Sequence, residues 1–392
     1  MGMKKTKLSF SIFDLYMRVI CLFPIFTVLG NEGIINKILF GVLLLLHIGL
    51  MFRARVTKGS LYHILLMAFL LVFTLLQTTF PVVNINLLFY YPFFVLYMTL
   101  WNDNMERYTD WFRNHEQYIV RIIVIWTVIV GISALMPSSY YIKEAGASYF
   151  GSFCGDIFRL GPSCFFIQVL VLALMSFFNR KKAVFFMVLP MYSYLMGSSR
   201  AYLVIGTCLF VIAWYWFGVS KKVFLATIIP IGIVGVYLLM QSSMMEKILF
   251  TLDENQVGDF WFRITSSRNV IWSRILGEYA KMPIPAKLFG SGVEFTAKAS
   301  RHWAHNDFIE ILCSFGLLGV VQYCSVIAKS IRQEETVRKT VPMMVKCMIF
   351  IAWLFNAFFN MHYTYFCCML SLPLAILTVR NYYTPNHDKD SK

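Results

Sequence analysis

Apolar runs of about 20 residues follow one another along most of the chain, separated by short polar connections. At a rise of about 1.5 Å per residue, a helix of that length matches a hydrocarbon core of about 30 Å. Twelve runs stand out, near 12–29, 34–52, 60–80, 84–100, 118–136, 158–178, 183–197, 201–218, 222–240, 306–328, 342–360 and 363–379. The pattern predicts an all-α fold: a polytopic integral membrane protein with about 12 transmembrane helices. Residues 1–392 then form a single multi-span membrane domain. The one sizeable polar stretch, 241–305, is inserted between the ninth and tenth spans.

Basic residues separate the two sides of the membrane. Lys4, Lys5 and Lys7, then Arg53, Arg55 and Lys58, then Arg180, Lys181 and Lys182 fall in one alternating set of connections. Lys221, Lys222, Lys329, Arg332, Arg338 and Lys339 continue that set. The opposite short connections, near 30–33, 80–84, 197–200 and 360–363, hold Arg200 as their one Lys or Arg. Lys and Arg accumulate on the cytoplasmic side, so both termini are expected there and the 241–305 loop outside.

Composition agrees with this class. The 392 residues are 58% hydrophobic and 14% charged, against roughly 25% charged in soluble domains. The net charge of +15 is spread in short clusters between apolar runs, which argues for membrane orientation and against nucleic acid. Nine cysteines lie mostly inside apolar runs without metal-ligand spacing, so neither a metal nor a cofactor is expected.

The long loop is expected to contain short amphipathic helices. Ile271, Ile275, Leu276 and Tyr279 repeat at helical spacing, Ser266 or Ser267 offers a cap, and Met282-Pro283-Ile284-Pro285 a stop. Trp261, Trp272 and Trp303 suit the membrane–water boundary, so the loop is expected to lie across the outer face as a lid. A shorter outer loop, 137–157, carries Tyr140, Tyr141, Lys143, Glu144 and Asp156.

The candidate chemistry gathers on that same side. Arg301, His302, His305, Asn306, Asp307 and Glu310 crowd the mouth of the tenth span, where ionisable groups are costly unless they face protein, water or a charged substrate. Arg200, Arg268 and His305 each sit at an expected helix start. A cation there loses roughly 0.3–1 kcal/mol to the helix dipole, whereas a bound anion gains from both the dipole and the cation. The pattern therefore points to a phosphate or diphosphate, with Arg200, Arg268, Arg301, His302 and Asn306 as substrate-binding candidates. Taken singly, each also fits a plain role: a snorkelling Arg200, a solvated Arg268, a structural His305. Asp307 and Glu310 have the spacing of a capping box.

Three stretches carry a likeness to a known family: MGSSRAYLV (196–204), RNVIWSRILGEY with LFGSGVEF (268–295), and AHNDFIEILCSFGLLGVV (304–321). Together they resemble the O-antigen polymerase and O-antigen ligase superfamily of bacterial envelope polysaccharide assembly. The likeness covers about 190–325, with Ser-Arg-Ala at 199–201 where the family often has Ser-Arg-Gly. It implies a GT-C type glycosyltransferase of the bacterial inner (cytoplasmic) membrane that uses an undecaprenyl-diphosphate-linked oligosaccharide. Arg200, Arg268 and His305 fall on the family's catalytic positions, with Arg263 and Arg274 close enough to Arg268 to compete for its place.

The residue types suit that chemistry. Two guanidinium groups would stabilise charge developing on the leaving diphosphate, and an imidazole would accept the proton of the attacking sugar hydroxyl. Glu32 and His302 are further base candidates, and no Asp-x-Asp pair lies on the outer face. Tyr140, Tyr141, Trp261 and Trp303 are candidates for stacking on sugar rings. The leading expectation is a polysaccharide polymerase joining lipid-linked repeat units of an O-antigen, capsule or exopolysaccharide. Alternatives are a ligase moving glycan to a lipid or protein acceptor, and a lipid-linked oligosaccharide flippase. Expected partners are the lipid-linked donor, membrane lipid and a chain-length regulator protein.

Overall fold

The computed structural model describes residues 11–29, 34–79, 86–142, 148–214, 258–337, 343–360 and 362–382, with isolated positions between 233 and 249. The expected span over 222–240 and the loop as far as 257 lie largely outside the described residues, as do Glu32, Lys143 and Glu144. The described chain is mostly helical. Its first helices are α1 (Ile12–Leu29), α2 (Ile34–Met51), α3 (Lys58–Gln77), α4 (Leu87–Asp103), α5 (Met105–Asn114) and α6 (Glu116–Ala134). A two-stranded antiparallel hairpin follows, β1 (Tyr140–Ile142) with β2 (Ser148–Phe150). Next come α7 (Ile157–Phe178), α8 (Val188–Met196) and α9 (Arg200–Val211). The loop contributes α10 (Phe260–Ile264), α11 (Arg268–Ala280), α12 (Ile284–Phe289) and α13 (Phe295–Ser300). The C-terminal helices are α14 (Asp307–Val337), α15 (Met343–Phe359) and α16 (Phe366–Tyr382).

Among the described residues, five helices are long and apolar enough to cross a membrane: α1, α3, α6, α7 and α14 as far as Ile331. Their burial shows two roles. The α7 sequence is apolar on every side, and 89% of its apolar window is buried, so it forms the axis that α1, α6, α8, α9 and α16 surround. In α3 only 22% of the window is buried. Leu61, Leu65, Phe69, Val72 and Leu76 form an exposed apolar stripe at three- and four-residue spacing. Such a stripe is a poor water-facing surface and a good lipid-facing one. The chain is a membrane-embedded protein.

One sequence expectation needs correction. The seventh apolar segment is not one helix: 3-10 backbone over Lys181–Met187 leads into the short α8. The 101–117 connection holds α5, whose Met105, Tyr108, Trp111 and Phe112 are buried at helical spacing. Its Trp111 meets an ion pair on α1. Arg18 donates to Asp14 at 2.8 Å, while Trp111 Nε1 and His115 close on the other carboxylate oxygen at 2.9 and 3.0 Å.

The long loop also departs from a simple surface lid. Helix α14 is broken at Gly316 (φ 73°, ψ −176°), a backbone conformation reserved for glycine. The break frees carbonyls that an apolar interior would punish. Ser291 N–H donates to Cys313 O at 2.8 Å, and the Thr74 hydroxyl donates to Ser314 O at 3.0 Å. Short α12 packs into the gap, with Phe289 against Phe69 and Phe73 at ring-centroid distances of 5.3 and 5.2 Å. Part of the loop is thus built into the bundle and holds its own ends in place.

This packing makes Gly316→Ala costly. The φ/ψ strain alone is about 1–3 kcal/mol, and the added methyl would sit 2.3 Å from Leu288 O. The thermal unfolding midpoint in detergent should fall for Gly316→Ala. It should hold or rise for Gly277→Ala, an exposed helical position with nothing within 4 Å of an added Cβ.

Candidate functional site

The turn between α8 and α9 presents Arg200. After Met196 the chain reverses through Gly197, Ser198 and Ser199, held by Gly197 N–H to Ser193 O (2.9 Å) and Ser199 N–H to Tyr194 O (3.2 Å). Ser198 takes a left-handed φ of 56°. The turn before α11 is tighter: Ser266 and Ser267 are consecutive left-handed residues, at 53° and 63°, and Ser267 N–H donates back to Phe262 O at 2.8 Å. His305, at 48°, is left-handed too. Non-glycine residues adopt this region rarely, and they persist there only where their surroundings hold them. Four such positions occur within two residues of the three candidates.

Arg200 and Arg268 face one cavity of about 630 Å³. Tyr141 and Tyr149 of the hairpin, Phe158 of α7, Trp261 and Phe359 supply its aromatic walls. Ser199, Ser266 and Asn360 supply polar ones, and Arg200 Nη2 donates to Ser266 Oγ at 2.5 Å. Among the described residues no Asp or Glu lines it. Burial, and next the charge of Arg200, pull the Arg268 guanidinium down to about 10. Its face lies 5.9 Å from the Phe359 ring centroid. Two like charges therefore share a largely apolar space, the arrangement an anion would relieve.

His305 adjoins the cavity and is not one of its walls. Its ring runs nearly parallel to that of Phe158, with centroids 6.3 Å apart and planes 24° from each other. Burial first, then Arg268 and His302, lower its pKa to about 4, so the imidazole is neutral near pH 7. Trp272 holds it there. This residue lies one turn beyond Arg268 on α11, and its Nε1 donates to Ala304 O at 2.6 Å. One short helix thus sets both the guanidinium and the imidazole. The sequence reading had assigned Trp272 to the membrane boundary.

The other expected residues separate. Arg301 and His302 are exposed and line no part of the cavity. Asn306 is buried and caps α14, accepting Ile309 N–H at 3.1 Å, which replaces the expected Asp307/Glu310 capping box. Asp307 instead accepts the Tyr323 hydroxyl and Tyr363 N–H, and Glu310 accepts the Thr296 hydroxyl. Ser267 is the N-cap of α11, as expected, but makes no capping bond through its side chain, and Thr265 Oγ1 accepts Asn269 N–H at 3.4 Å. Ser199, at the start of α9, likewise makes no capping bond through its side chain. The positive charge of the cavity comes from its two guanidinium groups. Arg263 is buried with its Nη1 on Gly258 O at 2.6 Å, and Arg274 is exposed, so Arg268 alone of the three reaches the cavity. Tyr140 points away, its hydroxyl on Ala134 O and Tyr192, and Trp303 packs with Leu87, Leu88 and Val293.

Comparison with models of known protein families and with curated proteins gives no match. Tyr149, Phe158, Phe359 and Asn360 had no signal in the sequence, because helix packing alone brings them to the two arginines.

Two arginines facing one cavity make a direct prediction. Inorganic pyrophosphate at 100 times its dissociation constant should stabilise the purified protein by about 2.7 kcal/mol, seen as a raised unfolding midpoint. Arg268→Ala and Arg200→Ala should abolish the shift, while Arg274→Ala should keep it.

Proposed function

We propose that the protein is a glycosyltransferase that polymerises lipid-linked repeat units, taking glycan from undecaprenyl diphosphate in a bacterial cytoplasmic membrane. The observation that carries the proposal is the pairing of Arg200 and Arg268 in one cavity whose described lining holds no Asp or Glu, beside a neutral His305. Twelve spans, with both termini cytoplasmic and the cavity open to the opposite side, belong to the same reading. The likeness at 196–204, 268–295 and 304–321 supports it, since those stretches supply Arg200, Arg268 and His305.

The chemistry follows from these groups. An acceptor sugar hydroxyl attacks the anomeric carbon of the donor glycan and a new C–O bond forms. The bond from that carbon to the diphosphate oxygen breaks, and its electron pair leaves with the diphosphate. The hydroxyl proton passes to His305. Arg200 and Arg268 meet the charge that builds on the leaving group, in surroundings dry enough to strengthen the interaction. Chain growth needs no separate energy source, because the diphosphate leaving group is already activated.

A transporter reading draws on the broken α14. Transporters place open helix breaks at the substrate, whereas the Gly316 break is filled by α12 and its carbonyls are bonded to Ser291 and Thr74. The arginine cavity is lined by other segments. Both features favour an enzyme.

Purified protein given the lipid-linked oligosaccharide from cells lacking this gene should yield multi-repeat products. Arg200→Ala and Arg268→Ala should each lower kcat by about 10²–10³-fold, and His305→Ala by about 10²–10⁴-fold. Unchanged product formation in all three variants would refute the proposal. Products one repeat long, moved onto a different acceptor, would mark a ligase instead.

The acid limb of kcat/KM gives a separate check. His305 must be neutral to accept a proton, so activity persists as pH falls past the ordinary histidine value of about 6.5. It should drop only near the free-enzyme value of about 4. An acid limb near 6.5 would show that His305 is not the base.

A further inference from the structure

The β1–β2 hairpin is too short to stabilise itself, yet it puts two aromatic rings in the wall of the arginine cavity. Its register pairs Tyr140 with Phe150 and Tyr141 with Tyr149. Alternation sends the first pair inward, where Phe150 is fully buried and Tyr140 bonds Tyr192 at 2.8 Å. The second pair turns to the cavity. The Tyr141 and Tyr149 rings stack with centroids 5.7 Å apart and planes 24° from each other. Gly151 leaves room for this: a Cβ there would lie 2.9 Å from Tyr141 Cε1 and 2.6 Å from Asp156 N. The pair is therefore fixed from beneath by the hairpin's own packing.

Two further groups line the same cavity. Trp261 is 65% exposed there and offers a ring face to a ligand. Asn360 is 3% exposed, and its Nδ2 has no hydrogen-bond partner among the described residues. A buried amide donor left unpaired costs about 1–3 kcal/mol, so its persistence calls for a ligand group to receive it. Aromatic faces with a directed amide suit a sugar ring, which presents C–H faces to π-systems and hydroxyls around its edge. A bare lipid diphosphate would use neither.

Resting on the proposed glycosyl transfer, we propose that Tyr141, Tyr149, Trp261 and Asn360 form a saccharide subsite. It seats the sugar bonded to the donor's diphosphate while Arg200 and Arg268 hold the diphosphate itself. The subsite turns a general anion cavity into one that discriminates a loaded carrier from a spent one. That distinction matters for turnover, because undecaprenyl diphosphate is also the product and would otherwise compete for the arginines.

Two probes separate this inference from the function it rests on. One is undecaprenyl diphosphate; the other is the lipid-linked oligosaccharide extracted from cells lacking the gene. Wild-type protein in nanodiscs should bind the oligosaccharide form at least about tenfold more tightly, about 1.4 kcal/mol. Trp261→Ala, Tyr141→Ala and Asn360→Ala should each remove most of that preference while leaving affinity for the bare diphosphate within about twofold. Tyr141→Phe, which keeps the stack, should retain the preference. Bare-carrier binding also reports that each variant is folded. Equal affinity of wild type for the two probes, or equal losses for both in the variants, would overturn the subsite and leave the arginine cavity standing. Failure of wild type to bind either probe would overturn the proposed function, and the subsite with it.

Discussion

Two guanidinium groups held in one poorly hydrated cavity set the terms for everything around them. Arg200 and Arg268 repel each other, and burial strips water that would otherwise screen them. Among the described residues no Asp or Glu lines their cavity. The fold holds them through its rigid parts: a left-handed serine turn before each helix, Ser266 bonded to Arg200, and the Phe359 ring near Arg268. Stability forfeited at such a site must come from elsewhere, and the largely buried α7 axis and its neighbours are the evident source.

A second constraint is backbone at membrane depth. A helix broken inside lipid leaves carbonyls that neither water nor lipid can satisfy. Here the polar loop supplies both remedies, an N–H from Ser291 and a six-residue helix that fills the gap. The loop is thereby anchored at α12, which lies between α11 and the His305 segment in the chain. Ser291 precedes His305 by 14 residues, so packing at Gly316 and geometry at His305 are linked through one loop.

The apolar period along the chain made the helical class and most helix positions legible, because a residue facing lipid or core must be apolar. Arg200, Arg268 and His305 were legible as a group through one oddity, cations at helix starts, and the structure places the two arginines in one cavity with His305 beside it. The inferences that failed depended on which polar group meets which. Asn306, Asp307 and Glu310 lie within one turn, and spacing alone cannot tell a cap from a buried acceptor. Asn306 took the cap, while Asp307 and Glu310 found Tyr323, Tyr363 and Thr296 from other segments. The bond from Trp272 to Ala304 O was hidden for the same reason, since helical spacing does not say which carbonyl an indole N–H will meet. The hairpin escaped notice because three-residue strands carry too little alternation to detect.

The depressed His305 pKa at first looks unsuited to proton transfer, since a base of about 4 takes a proton weakly at neutral pH. Its causes resolve the difficulty under the proposed reaction. Burial and the positive charge of Arg268 disfavour the imidazolium. A diphosphate bound to the arginines cancels part of that charge, and bond cleavage places further negative charge in the same cavity. Proton affinity at His305 therefore rises as the leaving group departs, when the hydroxyl proton must be accepted. Without a donor the same residue stays neutral, and the empty site is spared a third cation. In the proposed reaction the arginines that would hold the diphosphate also time the base, and moving either one would alter binding and proton transfer together.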